Sequence, residues 1–320
     1  MSLIPNLPTW IYPSNYYVIA SLGISLLCDV VYPRHEGVLY LIHPVRTAYF
    51  MSLKLSRYGS TKLFGFTVWL LTLLTHLLPY ALLLYVSWSI SPILWVITSA
   101  YVIKVSISPT LLVKTLLRVI KCGYLRDYKC VRREVQGIVR RDVSRLSIRH
   151  VYSAGIESLF ENIVDGVASP LVLLVILGPL GALTQRLINT LDGALGYKVG
   201  RFREVGWFSA VMDTVINYLP ARLVALMTLL TSLIISNSLG SRFKTYLKYC
   251  RSTESVNAGH PMSAIASALS VRLEKPGHYV LGDGELPDLM HVCLATELAI
   301  YVVTELYAGA LLALVVPYLQ

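Results

Sequence analysis

The chain has 320 residues, of which 55% are hydrophobic and 14% charged, with a mean hydropathy of +0.61, against roughly 25% charged residues in an average soluble domain. That balance excludes a soluble or disordered protein and indicates a multi-spanning membrane protein. The net charge of +10 is what the positive-inside rule places beside apolar spans, so it carries no argument for nucleic acid as a partner.

The first basic residue is Arg34, so the opening lacks the charged n-region of a cleavable signal peptide and Tyr16 to Tyr32 is expected to stay as a span. Further apolar segments fall at about 63 to 88, 91 to 113, 168 to 184, 215 to 236 and 294 to 318, judged against the roughly 20 residues that cross a bilayer. The second, third and sixth segments are long enough; the first is at the lower limit. Gly178 and Pro179 interrupt the fourth, and the fifth carries Asn217, Pro220 and Arg222 near its start, with a kink expected at Pro220. The basic stretch Lys114 to Arg149 has apolar positions Val131, Val135, Ile138 and Val139 at helical spacing, which predicts an amphipathic surface helix. The five cysteines form no CxxC pair, and scattered buried or free thiols are expected.

If all six segments crossed, the polar connections would be split by about 30 Å of hydrocarbon. The fourth and fifth are therefore expected to be re-entrant or protein-buried, leaving four crossings. The fold expected is all-α, one integral membrane domain over 1–320. Its polar connections 33–62, 114–167, 185–214 and 237–293 form a site facing the cytoplasm.

Candidate chemistry lies in those connections. Glu157, Glu161 and Asp165 stand one helical turn apart, an acidic stripe that needs solvent or a cationic partner. It suits Mg²⁺ bridging to phosphate, with Asn162 beside it; equally, the acids suit pairing with Arg140, Arg141, Arg145 or Arg149. Asn189, Thr190 and Asp192 precede a glycine-rich run with Lys198, Arg201 and Arg203, which suits a phosphate without being a Walker A loop. Asp213 and Asn217 share a helical face, followed by Arg222. A turn at Asn257 leads to a helix expected to begin at Pro261. Asp29 closes the first segment, and His43 opens an HPV tripeptide in a polar loop.

In this order the pieces resemble the membrane-bound adenosylcobinamide-phosphate synthases of cobalamin biosynthesis, the CbiB/CobD family. Those that carry the resemblance are Asp29, His43-Pro44-Val45, Arg141-Asp142, Glu157, Glu161-Asn162, Val164-Asp165-Gly166, Asn189 to Asp192, Gly196-Tyr197-Lys198, Arg203, Gly206, Asp213, Asn217 to Arg222 and Asn257-Ala258. The resemblance implies an ATP-dependent amide synthesis joining a corrinoid carboxylate to aminopropanol phosphate or a similar amino alcohol. ATP and Mg²⁺ are the implied cofactors. Catalytic roles are then expected for Glu157, Glu161, Asp165 and Asp192, the last as acceptor of the amine's proton. Binding roles are expected for His43, Arg141, Asp142, Asn162, Asn189, Thr190, Lys198, Arg203, Asp213, Asn217, Arg222 and Asn257. The first three acids are the expected metal ligands.

The chain departs from the family where GRDT becomes Arg140-Arg141-Asp142-Val143 and where a GGPNYY-like segment reads Glu274 to Tyr279; these changes bear on which amino alcohol is used. The partners expected are the lipid bilayer, the corrinoid and the amino-alcohol phosphate, with a homo-oligomer or a complex with a pathway enzyme also compatible. The rivals are a non-catalytic AmpE-like membrane sensor and a transporter, which predicts ionisable residues within spans, Lys104 being the plainest.

Overall fold

The computed structural model describes residues 7–197, 199–235 and 238–316. In chain order its helices are α1 (Asn15–Val31), α2 (Gly37–Leu41), α3 (Pro44–Leu55), α4 (Lys62–Ile90), α5 (Pro92–Ser106), α6 (Pro109–Tyr124), α7 (Tyr128–Gln136) and α8 (Ile148–Ile163). They continue with α9 (Ser169–Leu195), α10 (Phe202–Val205), α11 (Trp207–Ile216), α12 (Tyr218–Thr231), α13 (Leu239–Tyr249), α14 (Gly259–Ala268) and α15 (Leu289–Val315). One antiparallel hairpin, β1 (Leu273–Lys275) and β2 (Tyr279–Leu281), pairs Leu273 with Leu281; it is the only sheet among the described residues.

The chain is an all-α polytopic membrane protein. Four helical runs are long and apolar enough to cross a bilayer: Lys62–Ile90, Pro92–Tyr124, Ile148–Leu195 and Leu289–Val315. Four was the expected number, but the membership differs. The first segment forms a helix of only 17 residues. The fourth follows α8 through a π-helical turn at Val164–Ala168 and, as expected, is mostly buried over residues 168–184. The expected break is present at Gly178, whose φ of 72° only glycine adopts without strain. A side chain there would also press on the Ile11 carbonyl and the Tyr12 ring. The fifth segment breaks at Asn217, between α11 and α12, rather than at Pro220. Pro220 sits in the first turn of α12, where its missing N–H is not needed.

Contacts group the described chain into two compact units, each discontinuous in sequence. One is Met1–Ser108, Ser169–Ile216 and Tyr307–Gln320; the other is Pro109–Ala168 and Asn217–Leu306. In the first, α3, α4, α5, α9 and α11 surround a core of Trp69, Leu73, Val102, Val105, Leu183, Leu187 and Leu191. Gly65 lets α4 meet the Val205 carbonyl, which a Cβ would occupy. Asp29, 1% exposed, pairs with Lys104 at 3.5 Å and accepts from Ser108 Oγ at 2.7 Å. The within-span cation is therefore neutralised in place.

In the second unit, α12, α13 and α14 pack through Ala225, Leu229, Tyr246, Cys250 and Ala264. All ten residues of α14 are buried, and the helix begins at Gly259, two residues before Pro261; its small residues serve close packing. Helix α7 buries Val131 and Val135 as expected but stops at Gln136, before Ile138 and Val139. Cys122 and Cys130 are bonded to each other, against the expectation of free thiols, because the turn between α6 and α7 returns the chain on itself. Cys28, Cys250 and Cys293 are free.

Lys104→Met, which leaves Asp29 buried and uncompensated, is expected to cost about 3–5 kcal/mol. Asp29→Asn combined with Lys104→Met should recover most of that loss, as read by thermal unfolding in detergent.

Candidate functional site

The buried carboxylate of Glu157 is the centre of the second unit's polar cluster. It is 4% exposed and receives Arg141 Nη2 at 3.0 Å, the Tyr279 hydroxyl at 2.9 Å and Ser153 Oγ at 2.6 Å. Three donors, one of them cationic, offset the desolvation of the charge. Each reaches it for a local reason. Ser153 lies one turn earlier on α8. Arg141 rides on a loop that α7 braces: Arg132 donates to the Val143 and Leu146 carbonyls, and Gln136 donates to the Arg141 carbonyl and accepts from Val143 N–H. Tyr279 opens β2, and the Glu274 N–H of β1 donates to Ser153, which docks the hairpin on α8. Burial, with Glu157 next, pushes the Tyr279 phenol pKa well up, and Glu161 adds to this; the phenol therefore stays a donor. Among the described residues, Arg141 Nε is a buried donor with no hydrogen-bond partner.

The acidic stripe is thus divided. Glu157 is buried and paired with Arg141, Glu161 is exposed, and Asp165 is half-buried in the π turn. Among the described residues no group of three or more His, Cys, Asp or Glu is arranged to hold a metal. The stripe does not fit a resident Mg²⁺, because Glu157 is already neutralised and the π turn shifts Asp165 off the α-helical repeat.

A second cluster in the same unit joins Arg222 and Asn257. Arg222 Nη1 donates to Asn257 Oδ1 at 2.9 Å and to the Tyr218 carbonyl at 2.6 Å, and its guanidinium lies 3.5 Å from the Tyr218 ring centroid. His260 pairs with the Tyr246 hydroxyl at 2.7 Å. Burial, then Arg222 and Arg251, lowers its pKa to about 4, so it is neutral at pH 7. Asn217 is buried at the start of α12.

In the first unit, His43 caps α3 by accepting from Val45 N–H at Nδ1, which leaves its proton on Nε2. Its ring lies 4.7 Å from that of His35. Burial, then His35, Arg186 and Lys104, lowers its pKa to about 4. Asn189 donates to Asp213 at 3.2 Å, linking two expected residues. Asp192 lies directly beneath Gly196, where a Cβ would strike its carboxylate.

Several expected residues serve their own segments. Asp142 is exposed and accepts from Ser144 N–H and Oγ. Asn162 donates to the Ser158 carbonyl and hydroxyl, and Thr190 to the Arg186 carbonyl. Arg203 lines a separate cavity with Gly196 and Gly206. Lys198 lies outside the described residues. Sequence reasoning did not single out Tyr279, Ser153, His260 or Glu305, which accepts from Thr231 within α15. Ser153, at i−4 from Glu157, carried a local signal. Tyr279, more than a hundred residues away, had none.

Fold and clusters together define a multi-pass helical membrane protein whose buried ionisable residues are paired, Glu157 with Arg141 and Asp29 with Lys104. The model of the family described as CobD/Cbib protein matches residues 22–297, and the chain belongs to this family. It is 43% identical over 274 residues to a probable cobalamin biosynthesis protein CobD of Aeropyrum pernix, covering 86% of each chain. It is 39% identical over 231 residues to a protein of the same name from Thermoplasma volcanium, covering 71% of this chain and 73% of that one. A cobalamin biosynthesis protein CobD of Dehalococcoides mccartyi is 34% identical over 229 residues, covering 72% and 74%. No solved structure matches.

Tyr279→Phe should destabilise the chain by about 1–3 kcal/mol by removing one donor from a buried carboxylate. The loss should shrink in a Glu157→Gln background, as measured by a double-mutant cycle. His43 and His260, held below the unfolded value of 6.5, bind fewer protons when folded. The stability they contribute is present above about pH 6.5 and falls away toward pH 4. Melting temperatures should drop over that window, and His43→Asn, which keeps the cap, should flatten the profile.

Proposed function

We propose that this chain acts in cobalamin biosynthesis as an amide-forming enzyme. It would join the carboxylate of adenosylcobyric acid to the amine of aminopropanol phosphate, or a similar amino alcohol, giving adenosylcobinamide phosphate. The observation that carries this is the Glu157 cluster: an arginine held rigidly by a buried carboxylate, with its Nε still a buried donor without a partner. Family membership supplies the reaction class, and the cluster supplies a cation that an oxyanion of the substrate would satisfy.

A carboxylate is a poor acyl donor; ATP, carrying its own Mg²⁺ as a co-substrate, supplies the activation that turns its oxygen into a leaving group. The remaining work falls to side chains. Arg222, locked by Asn257 and Tyr218, presents a fixed cationic face to the amino-alcohol phosphate. Neutral His43 offers Nε2–H as a donor without adding charge. Asp192 takes the proton that the amine loses as its nitrogen bonds to the acyl carbon, and Glu161 lies at the exposed end of the stripe. The basic connections between spans favour a site on the cytoplasmic face. The transporter alternative relied on Lys104, whose charge is cancelled by Asp29.

Purified protein given adenosylcobyric acid, aminopropanol phosphate and Mg-ATP should form the amide, detected by mass. Glu161→Gln and Asp192→Asn should each lower turnover at least about a hundredfold. Unchanged turnover in both variants would remove the proposed roles.

A further inference from the structure

The cavity headed by Arg203 serves none of the roles above. It encloses about 500 Å³ between the end of α9 and the length of α11. Its two ends differ in chemistry. One end is cationic and aromatic: Arg203 lines it, Arg201 lies 5.1 Å from the Phe202 ring, and Lys62 lies 5.0 Å from the Trp207 ring. Glu204 is the one acid from Gly196 to Met212, and the Asp192 carboxylate lies beneath Gly196. From there the cavity runs along three successive turns of α11, past Trp207, then Ala210 and Val211, then Thr214 and Val215, about 12 Å at 1.5 Å per residue. Thr214 donates its hydroxyl to the Ala210 carbonyl, so the groove beyond its mouth holds little to fix a base or a sugar by hydrogen bonds.

The position of this groove says what covers it. Lys62 is the first residue of α4, a span of which only 28% of the apolar window is buried. Phe208 packs on Phe66 and Trp69 at 4.8 Å each, and Met212 and Ile216 join the same core further along α4. Helix α11 therefore follows α4 inward from its first turns. The cationic mouth lies where a span begins, at headgroup level, and the apolar length runs toward the hydrocarbon. Trp207, 46% exposed, is the residue type that settles at that boundary.

We propose that this groove binds one anionic phospholipid, its phosphate on Arg201 and Arg203 and one acyl chain along Ala210, Val211 and Val215. Arg203, grouped with the substrate-binding residues on sequence grounds, is then a lipid contact. Lipid binding here stands independently of the amide-forming reaction.

The test is native mass spectrometry of the full chain, delipidated in detergent and titrated with phosphatidylglycerol or phosphatidylcholine. One phosphatidylglycerol should be retained, about tenfold more tightly than phosphatidylcholine. Arg201→Gln with Arg203→Gln should erase that preference, since each interfacial cation contributes to anionic-lipid attraction. Ala210→Phe should expel both lipids by filling the groove. Because that variant perturbs a packed helix, quenching of tryptophan fluorescence by brominated phosphatidylglycerol provides a second measure, strong in the unaltered chain and reduced in Trp207→Phe. Equal retention of the two lipids, an unchanged preference in the double variant, or displacement of the lipid by millimolar inorganic phosphate would each overturn the proposal, the last by assigning the mouth to a soluble anion.

Discussion

A carboxylate taken out of water loses several kcal/mol of hydration unless a cation and hydrogen-bond donors replace it, and Glu157 sets that condition at the heart of the second unit. Meeting it draws together three stretches far apart in sequence. Arg141 must come from the basic loop, Ser153 from the preceding turn of α8, and Tyr279 from the hairpin. The loop cannot relax away because α7 clamps it through Arg132 and Gln136. The hairpin, too short to be stable alone, is held on α8 by the bond from Glu274 N–H to Ser153. One buried charge therefore accounts for the placement of Arg141.

The same rule explains the first unit. Lys104 is tolerated inside a span because Asp29 and the Pro33 carbonyl receive it. His35 and His43 are both held toward the neutral form, by burial first, then by Lys104 for His35 and by His35, Arg186 and Lys104 for His43. Neutral rings pack at 4.7 Å where two imidazoliums would repel. Pairs, neutral histidines and interfacial arginines are three solutions to the same shortage of water.

Much of this was legible in the residues. The apolar segments, the break at Gly178, the buried Val131 and Val135 and the all-helical character follow from periodicity and from glycine's conformational range. Of the candidate residues, Arg141 with Glu157, Asn189 with Asp213, and Arg222 with Asn257 meet as pairs. Asp142, Asn162 and Thr190 instead bond within their own turns, as short polar side chains do when a backbone or hydroxyl partner is nearby. Spacing cannot separate those two fates, since a helix brings i and i+4 together whether the partner is local or distant. The stripe's two readings, metal or arginine, were left open for a related reason, and Glu157 takes the arginine. Three acids at i, i+4, i+8 look equivalent on a uniform α-helix, but a π turn changes the direction of the third and burial singles out the first.

The sequence by itself determined that this chain lives in a bilayer, where its long apolar helices lie and which ordered motifs place it among CobD/CbiB proteins, because composition and local spacing need no partner to be read. Tertiary structure alone decided that Glu157 is a buried anchor paired with Arg141, that Tyr279 reaches it across more than a hundred residues, and that Arg203 heads an apolar groove. Those facts depend on which surfaces lose water together, and desolvation is a property of the folded neighbourhood that no single stretch of residues carries.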